Sequence, residues 1–130
     1  MDRDFTTIAS IQTYFDGLLR GRLDEMVFFD APPQTIKDSW KSFVVVDLGT
    51  EILDRNAMAS GTVRIMIYVR PIASGYGDVA TAQQKEKALT AIVQSASDPH
   101  YVIDPLSVFS DFDTDTGFNV YVHILRLRIL

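Results

Sequence analysis

Along residues 62–70, TVRIMIYVR, apolar and other positions alternate without a break. Val63, Ile65, Ile67 and Val69 fall on one face of an extended strand, and Thr62, Arg64, Met66, Tyr68 and Arg70 on the other. That is the period of two that a half-buried strand requires. A second apolar run, FVVVDL at 43–48, precedes it, and the interval 49–61 is short enough to fold it back as an antiparallel neighbour. The pattern predicts a hairpin at the centre of a sheet.

Helical spacing frames this hairpin. Ile8, Ile11, Phe15, Leu18 and Leu19 recur at three and four residues and make one apolar face, with Thr6 or Thr7 as N-cap and Gly21 as the stop. Such a helix covers a core or docks on a partner. MVFF at 26–29 is a short edge strand, broken by Pro32-Pro33, which neither a helix nor a central strand accommodates. The polar connector 34–41 carries Trp40, which either closes the core or anchors a neighbouring subunit. Ala82, Leu89, Ile92, Val93 and Ala96 define a second amphipathic helix, capped by Asp78 or Thr81, the latter at capping-box spacing from Gln84.

The last third returns to strand. Residues 101–103 and 106–109 flank Asp104-Pro105, which either bends one strand or separates two. In 118–130 the apolar set is first Phe118, Val120, Val122 and Ile124, then shifts to Leu125, Leu127 and Ile129 with Arg126 and Arg128 opposite. A change of face implies a change of packing environment, which makes Leu125, Leu127 and Ile129 candidates for a subunit boundary. The predicted fold is α+β: two amphipathic helices on a mostly antiparallel sheet of four to six strands, in the order α-β-β-β-α-β-β. A chain of 130 residues forms one domain with one core. The interval 49–61 is long for a hairpin loop, and Ile52, Leu53 and Met58 within it argue for a projecting arm that makes contacts.

Composition narrows the chemistry. The absence of cysteine removes disulfides, thiolate zinc sites and cysteine nucleophiles. No apolar run approaches the roughly 20 residues of a spanning helix, so no membrane partner is expected. A net charge of −5 argues against general nucleic-acid binding, which rests on Lys and Arg at phosphates. No nucleophile elbow, HExxH or phosphate-binding glycine pattern occurs, and His100 and His123 stand alone. Asp111, Asp113 and Asp115 resemble the opening of a calcium loop, but Gly117 falls at loop position seven and Val122 occupies position twelve, where a bidentate Glu is required. A solvated turn is the simpler reading. No enzyme class, catalytic residue, cofactor or metal site emerges.

The order of elements, from the helix ending at Leu19 through the hairpin of 43–48 and 62–70, the turn at 71–77 and the helix to Ala96, to the closing strands ending VYVHILRLRIL, resembles the tail-terminator and tail-completion proteins of tailed bacteriophages. The resemblance spans nearly the whole chain and has no diagnostic motif; the Pro32-Pro33 break and the long interval 49–61 depart from it. It implies a structural virion protein of the tail or neck, assembled in the bacterial cytoplasm. Such proteins form rings, commonly hexameric or larger, that cap the tail tube, meet tube and head-connector proteins, and leave a channel through which DNA passes. On that basis Glu51, Ile52, Leu53, Asp54, Arg55 and Met58 of the arm, Trp40, and Leu125, Leu127 and Ile129 are expected at subunit contacts, and Asp111, Asp113 and Asp115 on the channel surface. The alternative is a non-enzymatic adaptor of a bacterial or prophage-encoded system.

Overall fold

A computed structural model describes Phe5 and residues 7–48, 60–73 and 75–130. Two helices and a five-stranded sheet follow in the order α1 (Ile8–Leu19), β1 (Val27–Phe29), β2 (Ser42–Leu48), β3 (Ser60–Val69), α2 (Val79–Ser95), β4 (Tyr101–Asp113) and β5 (Phe118–Ile129). The α+β class and the element order match the sequence pattern. Spatially the strands run β1-β2-β3-β5-β4, with β1 parallel to β2 and every other pair antiparallel. β3, the most regularly alternating run, is the central strand.

Local chemistry sets the helix ends. Thr7 caps α1, its Oγ1 accepting from the Ser10 N–H at 3.2 Å. The cap of α2 is Asp78, whose carboxylate accepts from both the Thr81 N–H (3.1 Å) and the Thr81 hydroxyl (2.7 Å). Thr81 is therefore the cap's donor and not the cap. Those bonds hold the half-buried Asp78 carboxyl below its ordinary range. Gly77 lets the start of α2 approach β5, since a Cβ there would lie 3.0 Å from Asn119 Nδ2.

The sheet has two apolar faces, each packed against different cover. On one, Val44, Val46, Val63, Ile65, Ile67 and Val69 meet Ile11, Phe15, Leu19, Leu89 and Ile92 of the two helices. On the other, Phe43, Val45, Tyr68, Phe118, Val120 and Val122 form a second cluster, packed by Phe28, Ile36 and Trp40. Arg70 fastens this second cover: its guanidinium donates to the Trp40 and Lys37 carbonyls and sits 4.5 Å from the Phe118 ring centre.

This arrangement accounts for the change of face in β5 and corrects its interpretation. The alternation never slips; Phe118, Val120 and Val122 serve the second cluster, and Leu125, Leu127 and Ile129 serve the helix-covered core. Leu125, Leu127 and Ile129 are 2, 0 and 2 % exposed within a single chain, so they are not a free apolar margin for a subunit contact. The strand crosses from one cluster to the other inside its own molecule. β4 is likewise one strand, with a register shift between Pro105 and Ser107 and no division into two.

Candidate assembly surface

The two margins of the sheet are chemically unlike. β1 forms one margin, and a charged side chain occupies the Val27 carbonyl on it. Arg20, at the C-cap of α1, donates through its two terminal nitrogens to Glu25 O (2.7 Å) and Val27 O (2.8 Å), while its Nε donates to Asp16 Oδ1 (2.8 Å). Charge-assisted bonds of this kind are the strong ones, and a charged side chain on a strand's open side is a barrier to further pairing.

β4 forms the other margin and carries no such block along its middle. Among the described residues no segment pairs with its outer side. An antiparallel edge strand turns alternate N–H and C=O groups outward. Of these, the Phe112 N–H is taken by the Asp111 carboxylate (2.8 Å), which closes the far end only. Leu106, Val108, Phe109 and Phe112 are 48–56 % exposed. Register places Val108 and Phe112 on the helix-covered face, beside His123 and Asn119, and Phe109 on the opposite face beside Val122. Apolar side chains are thus left open on both faces of one edge strand.

On the helix-covered face this margin borders a trench. Leu89, Thr90, Val93 and Gln94 of α2 face Pro105 and Val108 of β4 across a floor of His123 and Leu125, enclosing about 120 Å³. His123 Nε2 lies 3.1 Å from Glu86 Oε2, the one ion-pair geometry between α2 and β5 among the described residues. Burial pushes the imidazole below its ordinary value, against the opposing pull of the Glu86 carboxylate. The neighbouring Tyr121 hydroxyl is raised, first by burial and then by Glu86 and Asp78. The trench is therefore mostly apolar, with Thr90, Gln94 and the Glu86-paired His123 as its polar lining.

The other expected residues are dispersed. Residues 49–59 lie outside those described, and with them Glu51, Ile52, Leu53, Asp54, Arg55, Met58 and the projecting arm. Trp40 is half-buried and stacks on Phe28 at 6.0 Å, so it closes the second cluster. Asp111 and Asp115 are exposed and Asp113 half-buried. Asp113 is committed to the turn, accepting from the Asp115 N–H (3.1 Å) and the Thr116 hydroxyl (2.9 Å), with Gly117 at a φ of 75° completing it. Among the described residues no cluster of His and acids could hold a metal. His100 stacks on Phe5 with ring centres 3.5 Å apart, far in sequence and role from His123.

A second polar cluster lies elsewhere. Asp24, 8 % exposed, accepts from Ser42 Oγ (2.6 Å) and the Met26 N–H (3.0 Å), and pairs with Lys85 Nζ (3.2 Å). Every partner is internal, and the cluster ties α2, β2 and the α1–β1 turn together. Its side chains are spent on each other.

The β4 margin was missed by sequence reasoning, although a signal was present. In VFSDF apolar residues occupy both parities of the strand, which demands cover on both faces. No family model matches the chain, and no curated protein is similar to it.

Proposed function

We propose that this protein is a non-catalytic assembly subunit, and more specifically a structural component of a phage tail or neck. In this reading copies form a ring, hexameric or larger, that caps the tail tube and joins it to the head-side connector, leaving a channel for DNA. The observation that supports it is the asymmetry of the sheet: one margin is capped by Arg20, and the other is open and lined with half-exposed apolar side chains. Unpaired strand margins and apolar patches of this kind serve association. In this reading Arg20, which holds the Val27 carbonyl on the β1 margin, keeps the ring from closing by one continuous sheet passing from copy to copy. Successive copies meet through heterologous side-chain surfaces, and the β4 margin is left for neighbouring tail-tube or connector proteins.

The test is location. Copies carrying a small epitope after Leu130 are expected at one end of tails, or at the neck, in labelled particle micrographs. Val108→Lys with Phe109→Lys should retain the fold and fail to enter particles. Particles that never contain the subunit, whatever its concentration, would overturn the reading.

A further inference from the structure

Turned antiparallel, the β4 margin complements a second copy of itself. We infer that two free subunits pair their β4 edges about a two-fold axis at Phe109, each strand covering the other's outward N–H and C=O groups. The contact belongs to the unassembled chain and does not depend on where the assembled one sits.

Register selects the axis. The Phe112 N–H is bonded to the Asp111 carboxylate and not to β5, and the register from Ser107 to Asp113 is unbroken, so the outward backbone groups are those of Val108, Ser110 and Phe112. An axis at Phe109 sets Val108 of each copy against Ser110 of the other and makes their backbone bonds without calling on Phe112. The helix-covered faces then lie on the same side of one sheet. An axis at Ser110 would set Phe109 against Asp111 and require the Phe112 N–H already in use. An axis at Val108 would carry the bonded pairs into the register shift between Pro105 and Ser107.

Side chains fit the same axis. On the face away from the helices the two half-exposed Phe109 rings meet as a non-hydrogen-bonded pair, the closer kind. On the helix-covered face Phe112 of each copy falls opposite Leu106 of the other, against the wall that Pro105 and Val108 give the trench. That enclosure of about 120 Å³ is on the scale of the ~150 Å³ apolar cavity that takes up benzene, so a phenyl ring matches it in size. Each copy gives one ring and receives one.

Charge agrees. Antiparallel pairing carries Asp111, Asp113 and Asp115 of one copy towards the end of the other's edge where Arg126 is exposed and Arg128 pairs with Asp104 at 3.1 Å. The two Asp113 residues are then separated along the strands by roughly 26 Å, well beyond the ~8 Å screening length of physiological salt. Outside the pair each margin is a β1 with Arg20 on its Val27 carbonyl, which works against a third copy. The area left to cover is small, so the pair is weak and parts when a tail or connector protein competes for β4.

Sedimentation equilibrium from about 5 µM to about 1 mM should show single chains giving way to dimers and nothing larger, as a contact of less than about 1,200 Å² predicts. Ser110→Pro removes an outward donor and leaves the bonds to β5 in place, so it should weaken the dimer at least tenfold with an unchanged melting temperature in dilute solution. The chain has no cysteine, so Phe109→Cys introduces a lone thiol. On the axis two such residues have Cα atoms about 4.5 Å apart, within disulfide reach. Oxidised glutathione should join Phe109→Cys chains in pairs, and Ser107→Cys chains at least tenfold more slowly, because their Cα atoms are offset by roughly 13 Å along the strands. Single chains at the highest concentration, equal cross-linking of the two cysteine variants, or an undiminished dimer in Ser110→Pro would overturn the inference. If dimers form and particles lack the subunit, the pairing stands and the assembly reading falls. If chains stay single and enter tails, the reverse holds.

Discussion

Leu127 separates two accounts of the C-terminal run. As a subunit contact, its truncation would weaken oligomers and leave the isolated chain unaltered. As a core residue, it should destabilise every copy equally. The side chain is fully buried in the helix-covered cluster, on a strand paired on both sides, so it has little freedom to collapse around a deletion. Leu→Ala at such sites costs about 3–5 kcal/mol from lost transfer energy and the remaining cavity. A domain of this size holds about 5–15 kcal/mol in total, so Leu127→Ala removes at least about a fifth of it. Each kcal/mol moves the melting temperature of a domain this long by about 3–5 °C, which predicts a fall of about 10–25 °C. Arg126→Ala, one residue away on the other face and exposed, should change stability by less than about 0.5 kcal/mol. Urea unfolding followed by tryptophan fluorescence over a hundredfold range of protein concentration checks both. A midpoint for Leu127→Ala that matches wild type in dilute solution and departs from it only at high concentration would refute the core assignment.

Four further outcomes are expected. Arg20→Ala uncovers the Val27 carbonyl of β1 and the Glu25 carbonyl just before it, and should cost about 1–2 kcal/mol by urea titration, with faster aggregation by light scattering on storage. Asp24→Ala leaves Ser42, Lys85 and the Met26 N–H without their shared acceptor and should lose about 3–5 kcal/mol by the same titration. Because burial holds His123 below 6.5 in the folded chain, the unfolded chain binds the proton first as pH falls through 6.5, and stability is lost below that point. Melting curves at pH 7.5 and 5.5 should therefore show wild type losing ground to His123→Gln on acidification, and a gap that is unchanged or moves the other way contradicts the linkage. The Tyr14 hydroxyl is buried without a hydrogen-bond partner among the described residues, so Tyr14→Phe should be neutral or stabilising by up to about 1 kcal/mol, and a loss larger than that in urea would mean that the hydroxyl is bonded.

Much of this fold was legible from periodicity alone. β3 was read from Val63, Ile65, Ile67 and Val69, and α1 from Ile11, Phe15, Leu18 and Leu19, because each pattern serves a single face. The reading failed where a strand serves two. In β5 the switch from Val122 to Leu125 carries the information that both faces of the sheet are covered, yet a period of two cannot say by what. The second cover, Ile36 and Trp40 in a polar connector, has no periodicity and is fixed by long-range bonds from Arg70 to the Lys37 and Trp40 carbonyls. Ile8 was placed on the buried face of α1 and is 43 % exposed, since it precedes the first turn that meets the sheet. The candidate surface was the least legible part. Exposure of Val108 and Phe109 follows from β4 being the last strand in space, an order that depends on β5 inserting between β3 and β4 and that local sequence does not encode.

The guanidinium that seals β1 has a consequence for how far copies can propagate. A ribbon lengthens without limit only if each added unit exposes a fresh template equal to the one it consumed. Among the described residues only the β4 edge is left open in this way, and once it is filled the next boundary belongs to whatever filled it. Arg20 on the β1 margin thereby works against copies extending one another into endless fibrils.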